Sequence, residues 1–160
     1  MRIGVTGAGG FVGTALVDRL VRDGAPGSAE RPQVVAIDAR LPAGLPAGVE
    51  RVEGDLCDAA VRERIFSAPF DLFFHLAAVP GGAAEADYRL GWRVNVEASV
   101  AILEGLAAQA KPARLVFAST IAVFGAPLPA DRVDDDTLPL PAMSYGAQKL
   151  MLEALVADFA

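Results

Sequence analysis

The sequence predicts an α/β domain built on a doubly wound parallel sheet. Short runs rich in β-branched residues alternate with longer amphipathic segments, which is typical of consecutive βαβ units. A glycine-rich turn stands where the first such run passes into the first amphipathic segment. The length of 160 residues matches one domain, and a hydrophobic content of 53% is sufficient for one buried core.

Five strands are predicted, each a short apolar run bounded by glycine, proline or polar residues. They are Arg2–Thr6, Gln33–Ile37, Val49–Glu53, Leu72–Leu76 and Arg114–Ser119. Parallel strands require crossover connections, and the segments between these runs leave room for helices on both faces of the sheet.

Three segments carry a helical pattern. After the first strand, Val12, Leu16 and Leu20 recur every four residues opposite a charged face, which predicts one amphipathic helix. The segment 88–110 repeats this pattern and is long enough to cross the sheet. The last helix is predicted to begin near Ser144, as an N-cap, and to run to the end of the chain. Loops are predicted at 24–32, 41–48 and 125–136.

The composition narrows the classes of partner. Fourteen basic and 20 acidic residues give a net charge of -6 without a run of Lys or Arg, which argues against nucleic acid and anionic membranes. Pro, Gly and charged residues interrupt every apolar run before it reaches the length of a membrane span. The single cysteine, Cys57, permits no internal disulfide, and the first residues do not resemble a secretory signal. We therefore expect a cytoplasmic protein, and no metal site is predicted.

The turn after the first strand predicts a binding site for a diphosphate. Gly7, Gly10 and Gly13 follow a G-x-x-G-x-x-G spacing directly before the first helix. Gly7 would permit the tight turn, Gly10 the approach of backbone N–H groups to phosphate, and Gly13 the close packing of helix on strand. This spacing departs by one residue from the usual dinucleotide fingerprint, and the alternative is a flexible turn without a ligand.

Two carboxylates extend this prediction to an adenosine group. Asp38, after the second strand, would accept hydrogen bonds from both ribose hydroxyls and repel a 2′-phosphate, which favours NAD over NADP. Arg40 would offset part of that repulsion, and the alternative for Asp38 is a turn former at a strand end. Asp55, after the third strand, would accept from the adenine amino group or cap the next helix.

Tyr145 and Lys149 lie four residues apart on the predicted last helix, so both project from one face. A phenol ionises near pH 10 in water, so its use as a base near neutrality requires about 4 kcal/mol of preferential stabilisation of the phenolate. A neighbouring lysine and a cationic nicotinamide would supply it, whereas the alternative is a surface helix pair. Ser119 and Thr120 end the fifth strand, where one hydroxyl would donate to the reacting oxygen or else cap a turn.

Together these motifs resemble the extended short-chain dehydrogenase/reductase family, whose cofactor domain is a Rossmann fold. The resemblance covers the whole chain, and its segments 84–95, 119–129 and 143–149 are most similar to sugar-acid dehydrogenases and less similar to nucleotide-sugar epimerases. In chain order, it rests on TGAGGFVG, Asp38, Gly54, Asp55, Leu56, His75, Leu76, Ala77, Ala78, Asn95 within VNVEAS, ASTIAVFG and SYGAQK.

The resemblance implies a role for each matching residue. Tyr145 would be the catalytic base, Lys149 would hold the nicotinamide ribose and assist the tyrosine, and Thr120 would be the hydroxyl partner. His75 is expected to be a structural residue at the end of a buried strand rather than a group that transfers protons. The cofactor-binding residues, besides Tyr145 and Lys149, would be Gly7, Gly10, Phe11, Val12, Gly13, Asp38, Asp55, Leu56, Ala77, Ala78 and Asn95.

The resemblance also implies NAD-dependent oxidation of a secondary hydroxyl in a small sugar acid. The alternatives are epimerisation or dehydration of a nucleotide sugar by the same residues, and a catalytically idle NAD-binding module. Members of the family continue into a smaller substrate domain, so we expect residues 1–160 to be the NAD-binding domain, with the C-terminal substrate domain missing. The helices 88–110 and 144–160 would pack against their copies in a homodimer or, alternatively, pack on the sheet alone.

Overall fold

Five strands form one parallel sheet in the order β3-β2-β1-β4-β5, in a computed structural model that describes residues 1–25, 27, 30–125, 128 and 132–160. The strands are β1 (Arg2–Thr6), β2 (Gln33–Asp38), β3 (Glu50–Glu53), β4 (Leu72–His75) and β5 (Arg114–Phe117). The strand order reverses its direction after β3, so right-handed crossovers place the helix before β2 and the helix after β3 on opposite faces of the sheet. The predicted doubly wound fold is confirmed.

The strand ends differ from the predicted ends by two residues at most. β4 stops at His75 because the chain then turns toward β1, where the N–H groups of Leu76 and Ala77 donate to Oγ1 of Thr6 at 3.1 and 3.3 Å. The loop predicted at 41–48 contains no helix or strand. The loops predicted at 24–32 and 125–136 lie partly outside the described residues.

The helices are α1 (Phe11–Asp23), α2 (Ala59–Ile65), α3 (Gly81–Ala86), α4 (Tyr88–Gly91), α5 (Ala98–Ala107) and α6 (Ser144–Asp158). A π-helical segment, Trp92–Glu97, joins α4 to α5, so the helix predicted at 88–110 is interrupted and ends at Ala107. A 3₁₀ turn, Ile121–Phe124, follows β5. Ser144 is the first residue of α6 and Met143 its N-cap, without a side-chain hydrogen bond, so the predicted cap was wrong by one residue.

The described chain divides into two compact units. The sheet unit, residues Met1–Ala77 and Glu104–Ala118, contains all five strands with α1 and α2. The helical unit, residues Ala78–Leu103 and Ser119–Ala160, contains α3, α4, the π-helical segment, the 3₁₀ turn and α6. The single domain at residues 1–160 stays a prediction.

The core under α1 is aliphatic. Ile3 and Val5 of β1 pack in one buried cluster with Val17 and Leu20 of α1. Of the apolar residues that recur every four positions in the sequence, Leu20 therefore faces the sheet, and Leu16 packs at the edge of this cluster. Burial of each such side chain stabilises the fold by about 1.5–3 kcal/mol, so this cluster fixes where α1 begins relative to β1.

The opposite face of the sheet is aromatic. Phe73 of β4 is paired in register with Gly4 of β1. Because successive residues of a strand face opposite sides of the sheet, both lie on the face opposite to Ile3 and Val5. Phe73 meets Phe70 edge to face with ring centroids 5.0 Å apart, and Phe66 stacks against it at 6.4 Å. Side chains thus cover both faces of the sheet, which explains why the central strand β1 is buried along its whole length.

Within the described ranges, no helix has the length and apolar character needed to cross a membrane.

Candidate active site

The glycine turn joins β1 to α1 in the sheet unit. Gly7 has a φ of +71°, the left-handed conformation that favours glycine, and an added Cβ would lie 2.8 Å from the backbone nitrogen of Ala77. An added Cβ at Gly13 would overlap the carbonyl oxygen of Gly7. The structure therefore supports the turn role of Gly7 and the packing role of Gly13. Gly10 is exposed, and an added Cβ there would meet only the Gly7 carbonyl oxygen, at 3.3 Å. The approach of a phosphate to Gly10 therefore stays a prediction.

The N-terminus of α1 has no capping group of its own. Its N-cap, Gly10, has no side chain, and its first turn contains no acidic residue. The first N–H groups of a helix lack intrahelical partners and carry about half a positive charge, so this end favours an anion. Phe11 and Val12 are 95% and 62% exposed and flank these N–H groups. That both residues contact a bound diphosphate stays a prediction.

Asp38 holds the glycine turn against the end of β2. Its Oδ2 accepts a hydrogen bond from the N–H of Gly9 at 2.9 Å, and its Oδ1 accepts one from the N–H of Arg40 at 3.1 Å. Asp38 is thus the turn former of the alternative interpretation, yet each carboxylate oxygen keeps a lone pair for a ribose hydroxyl. Gly9 was missed by the sequence analysis, although a Cβ there would overlap the carbonyl oxygen of Arg40. The two consecutive glycines at positions 9 and 10 are the sequence signal that could have identified Gly9.

Asp55 does not cap the helix that follows β3. Its Oδ1 accepts from the N–H of Cys57 at 2.9 Å, whereas the cap of α2 is Asp58, which accepts from the N–H of Ala60 at 2.9 Å. The capping alternative for Asp55 was therefore wrong, and its exposed carboxylate keeps the predicted adenine contact as a prediction. Leu56 is 7% exposed, so its side chain belongs to the core, and its predicted contact with a cofactor stays a prediction.

His75 is buried at the end of β4. Its Nδ1 lies 2.7 Å from Oγ1 of Thr6, and its ring stacks on Phe117 with centroids 6.0 Å apart. These contacts support the structural role expected for His75. Ala77 and Ala78 follow the strand and are half-buried, so their predicted contact with a nicotinamide stays a prediction.

Tyr145 and Lys149 lie one turn apart on α6 in the helical unit, as predicted. The start of α6 is fixed by Glu85 of α3, whose Oε1 accepts from the N–H of Tyr145 at 3.1 Å. Tyr145 is half-buried, and an added Cβ at Gly81 would lie 3.6 Å from Cδ1 of its ring. The surface pair of the alternative interpretation does not fit these data, because Lys149 is only 2% exposed.

The ammonium group of Lys149 is perturbed by this burial. Desolvation lowers the pKa of Lys149 from 10.5 to about 8, while the nearby carboxylate of Glu153 opposes the shift. Lys149 therefore remains mostly protonated at neutral pH but gives up its proton more readily than a surface lysine. Buried titratable groups of this kind are frequent at functional sites.

The two hydroxyls after β5 have different partners. Thr120 is the N-cap of the 3₁₀ turn, and its Oγ1 accepts from the N–H of Ala122 at 3.2 Å. Accepting one hydrogen bond leaves the donor function of a hydroxyl in place, so Thr120 keeps its predicted role as hydroxyl partner. Ser119 instead donates to the carboxylate of Glu153. Of the pair left open by the sequence, Thr120 is thus the candidate.

Asn95 lies in the π-helical segment and is 1% exposed. Its Oδ1 accepts from the N–H of Val79 at 2.7 Å, and its Nδ2 donates to the Val79 carbonyl at 3.1 Å and to Oε1 of Gln148 at 2.8 Å. The backbone of Val79 fixes which way both amides point. The side chain of Asn95 therefore binds protein, and its predicted contact with a cofactor stays a prediction. π-helical segments frequently mark functional positions.

Gln148 directly precedes Lys149 and was missed by the sequence analysis. Its buried Nε2 has no hydrogen-bond partner among the described residues. No sequence signal singles it out, because a glutamine on a helix is ordinarily exposed.

Within the part of the chain that the structure describes, no group of three or more His, Cys, Asp or Glu side chains is arranged to hold a metal ion.

Proteins that are similar to this chain over nearly its whole length include a dehydrogenase and two sugar epimerases. A D-erythronate dehydrogenase from Cupriavidus necator is 40% identical over 166 residues, which cover 99% of this chain and 50% of that protein. A nucleoside-diphosphate-sugar epimerase from Agrobacterium tumefaciens superposes with a TM-score of 0.87 at 37% identity, over 99% of this chain and 48% of that one. A UDP-glucose 4-epimerase from Thermus thermophilus, solved with NAD, superposes with a TM-score of 0.86 at 30% identity, over 99% of this chain and 50% of that one.

This chain thus spans about half the length of the relatives that it matches. Residues 3–160 match the family described as the NAD dependent epimerase/dehydratase family. The resemblance drawn from the motifs is confirmed, and the chain belongs to the NAD dependent epimerase/dehydratase family.

Proposed function

We propose that this chain is the NAD-binding and catalytic part of a dehydrogenase that oxidises a secondary hydroxyl of a small sugar acid such as D-erythronate. The observation that carries the proposal is the burial of Lys149 one helical turn from Tyr145. A cation held out of water beside a phenol favours its ionised form, which general-base catalysis requires. The 40% identity to a D-erythronate dehydrogenase supports the sugar-acid substrate.

The residues of the sheet unit fit NAD. The uncapped N-terminus of α1 would bind the diphosphate through its N–H groups, and the exposed side of Gly10 leaves room for that approach. Asp38 would accept from the ribose hydroxyls and repel a 2′-phosphate. When bound, NAD supplies the acceptor for a hydride.

The residues of the helical unit would handle the proton. The Oη of Tyr145 would take the proton of the substrate hydroxyl, and Thr120 would donate to the oxygen as it becomes a carbonyl. Lys149 would stabilise the phenolate by its charge and hold the nicotinamide ribose by hydrogen bonds.

Two measurements test the proposed function. NAD and NADP are titrated into the protein by calorimetry, with tighter binding of NAD as the expected result. D-erythronate and related acids are then added with NAD, and reduced cofactor should accumulate. In a form that carries the substrate domain, binding of NAD without turnover of any acid would favour the idle module. Absence of NAD binding to residues 1–160 would refute the cofactor assignment.

Nucleotide-sugar epimerisation is the second candidate. The likeness to a UDP-glucose 4-epimerase solved with NAD favours it, at 30% identity and a TM-score of 0.86. An epimerase would transfer hydride out and back, so it would convert a UDP-sugar without net formation of reduced NAD. Incubation with UDP-glucose and analysis of the products by chromatography therefore separate the two candidates.

Two further expectations stay predictions. The first is the cytoplasmic setting, and the second is the homodimer through the helices 88–110 and 144–160. Exposed aromatic surface supports the second, because Tyr88 is 54% exposed and stacks on Trp92 with ring centroids 6.2 Å apart. Sedimentation that shows only monomer would contradict the dimer.

A further inference from the structure

Glu153 continues the line of side chains formed by Tyr145 and Lys149. The three residues are spaced four apart on α6, so they follow one another along one face of the helix. Glu153 is half-buried, and its carboxylate accepts a hydrogen bond from Oγ of Ser119. The segment before the 3₁₀ turn and the third turn of α6 are thereby joined through an anion that lies one turn from the buried ammonium.

We propose that Glu153 is a positioning residue that keeps the Lys149 side chain charged and oriented toward Tyr145, and that Ser119 fixes the Glu153 carboxylate for this purpose. This inference deepens the proposed function and rests on it, because the charge of Lys149 matters for the reaction through Tyr145. In this role Glu153 acts through Lys149 and not by contact with the substrate or the cofactor.

The electrostatic reason is the cost of the buried charge. An ammonium removed from water without a counter-charge gives up its proton, and a carboxylate one helical turn away offsets part of that cost. Burial is the larger influence on the pKa of Lys149, and the Glu153 carboxylate acts in the opposite direction. A carboxylate that is free to rotate would spend part of its time in water, whereas the hydrogen bond from Ser119 holds it in one orientation.

Other charged groups lie on the elements that pack against α6, but they have different surroundings. Glu85 of α3 accepts the N–H of Tyr145, so its carboxylate is committed to the start of the helix. The 3₁₀ turn carries no titratable side chain. The remaining groups on the packed elements and around the cavity beside Ser119 are Tyr88, Arg89, Arg93, Glu97, Asp134 and Asp135, all of them exposed. The charge of Glu153 acts on Lys149 and favours its protonated form.

The proposal is tested by following the ionisation of Lys149. The chain offers an internal control, because its only lysines are Lys111 and Lys149. Lys111 is exposed and paired with Asp71 in the sheet unit, with Nζ and Oδ1 3.0 Å apart. In the protein labelled with ¹³C and ¹⁵N in lysine, NMR resolves two side-chain signals, and their shifts are followed from pH 6 to pH 12 in the wild type and in Glu153→Gln.

In Glu153→Gln, the midpoint of the Lys149 transition is expected to fall by about half a pH unit or more. This shift corresponds to the Coulomb energy, about 0.7 kcal/mol, of two unit charges about 6 Å apart in water. The Lys111 transition should not move. Ser119→Ala should move the Lys149 midpoint in the same direction by less, and Glu153→Asp should restore part of it. Glu104→Gln removes a matched exposed carboxylate in the sheet unit and should leave Lys149 unchanged.

An unchanged Lys149 midpoint in Glu153→Gln would overturn the inference and leave Glu153 as a structural tie between Ser119 and α6. If Glu153→Gln fails to fold, the shift in Ser119→Ala decides in its place, and its absence would overturn the inference equally. Calorimetric titration of NAD into the same samples is independent of this result. Absence of NAD binding to the wild type would refute the proposed function. The Lys149 midpoints would still test whether Glu153 keeps Lys149 charged.

Discussion

The sheet unit and the helical unit each carry a separate group of candidate residues, and the two groups are built in different ways. In the sheet unit the glycine turn is shaped by backbone atoms, because Gly7 and Gly13 admit no side chain and Asp38 ties the turn to β2 through main-chain N–H groups. In the helical unit the face of α6 is shaped by side chains, because Lys149 is buried and Glu153 bonds Ser119.

This difference determines how each group responds to substitution. A backbone site fails by steric overlap, so added atoms should cost stability and binding together. A site of charged side chains fails by loss of a proton or a hydrogen bond, so its variants should keep the fold and lose chemistry. Four substitutions test this contrast, from the largest expected effect to the smallest.

Tyr145→Phe removes the phenolic oxygen and should lower the rate of hydride transfer by about two to four orders of magnitude. The fold should remain, because the ring of Tyr145 is kept and its N–H still donates to Glu85. The rate is measured from the accumulation of reduced NAD. The matched control is Tyr88→Phe at the other tyrosine of the chain, which should keep the full rate. A Tyr145→Phe protein of normal rate would remove the catalytic role.

Gly13→Val should destabilise the sheet unit by about 3 kcal/mol or more and abolish NAD binding, because its Cβ would overlap the Gly7 carbonyl oxygen. Urea unfolding and calorimetry measure the two effects. Gly44→Val is the control, since no atom lies within 4 Å of an added Cβ at this exposed position. Normal stability of Gly13→Val would show that the turn is not held by backbone contact.

Asp38→Asn should weaken NAD and reduce its preference over NADP by roughly tenfold, which corresponds to about 1.4 kcal/mol for one charged hydrogen bond. The amide keeps an oxygen for the N–H of Gly9 but loses the charge that repels a 2′-phosphate. Calorimetric titration of both dinucleotides gives the ratio. Arg40→Gln, the adjacent change of opposite charge, should raise the preference for NAD, and an unchanged ratio in Asp38→Asn would contradict the ribose contact.

The wild type should gain stability relative to Lys149→Met as the pH rises from about 8 toward 10.5. The folded pKa of Lys149 lies below its unfolded value, so in this window the unfolded chain binds more protons and stability rises with pH. Below about pH 8 the cost of the buried charge is present in full. Urea unfolding of both proteins at several pH values measures the difference, and a wild type that loses stability relative to Lys149→Met in this window would refute the sign.

The sheet unit was largely predictable. Local sequence sets its strands, and the turn at Gly7 and Gly13 requires glycine for steric reasons that a spacing pattern captures. The spacing of Tyr145 and Lys149 likewise follows from the helical period. Gly9 was missed because the carbonyl oxygen of Arg40, which excludes a side chain there, comes from a distant part of the sequence.

The helical unit was less predictable for the same reason. The π-helical segment interrupts a pattern that is regular in sequence, and Asn95 within it is hydrogen-bonded to Val79 and Gln148. The partner of Glu153 is Ser119, 34 residues away. Hydrogen bonds between side chains that are remote in sequence leave no periodic trace.

The sequence by itself determined the parallel α/β sheet, the family, the glycine turn and the positions of Tyr145 and Lys149, because each depends on local periodicity or on residue types at fixed spacing. The tertiary structure alone decided which polar groups are buried and which partners satisfy them. In the folded chain Lys149 is buried, the Asn95 amide is hydrogen-bonded to Val79, and Ser119 donates a hydrogen bond to Glu153. Burial and pairing depend on what packs against a residue, which its neighbours in the sequence do not specify.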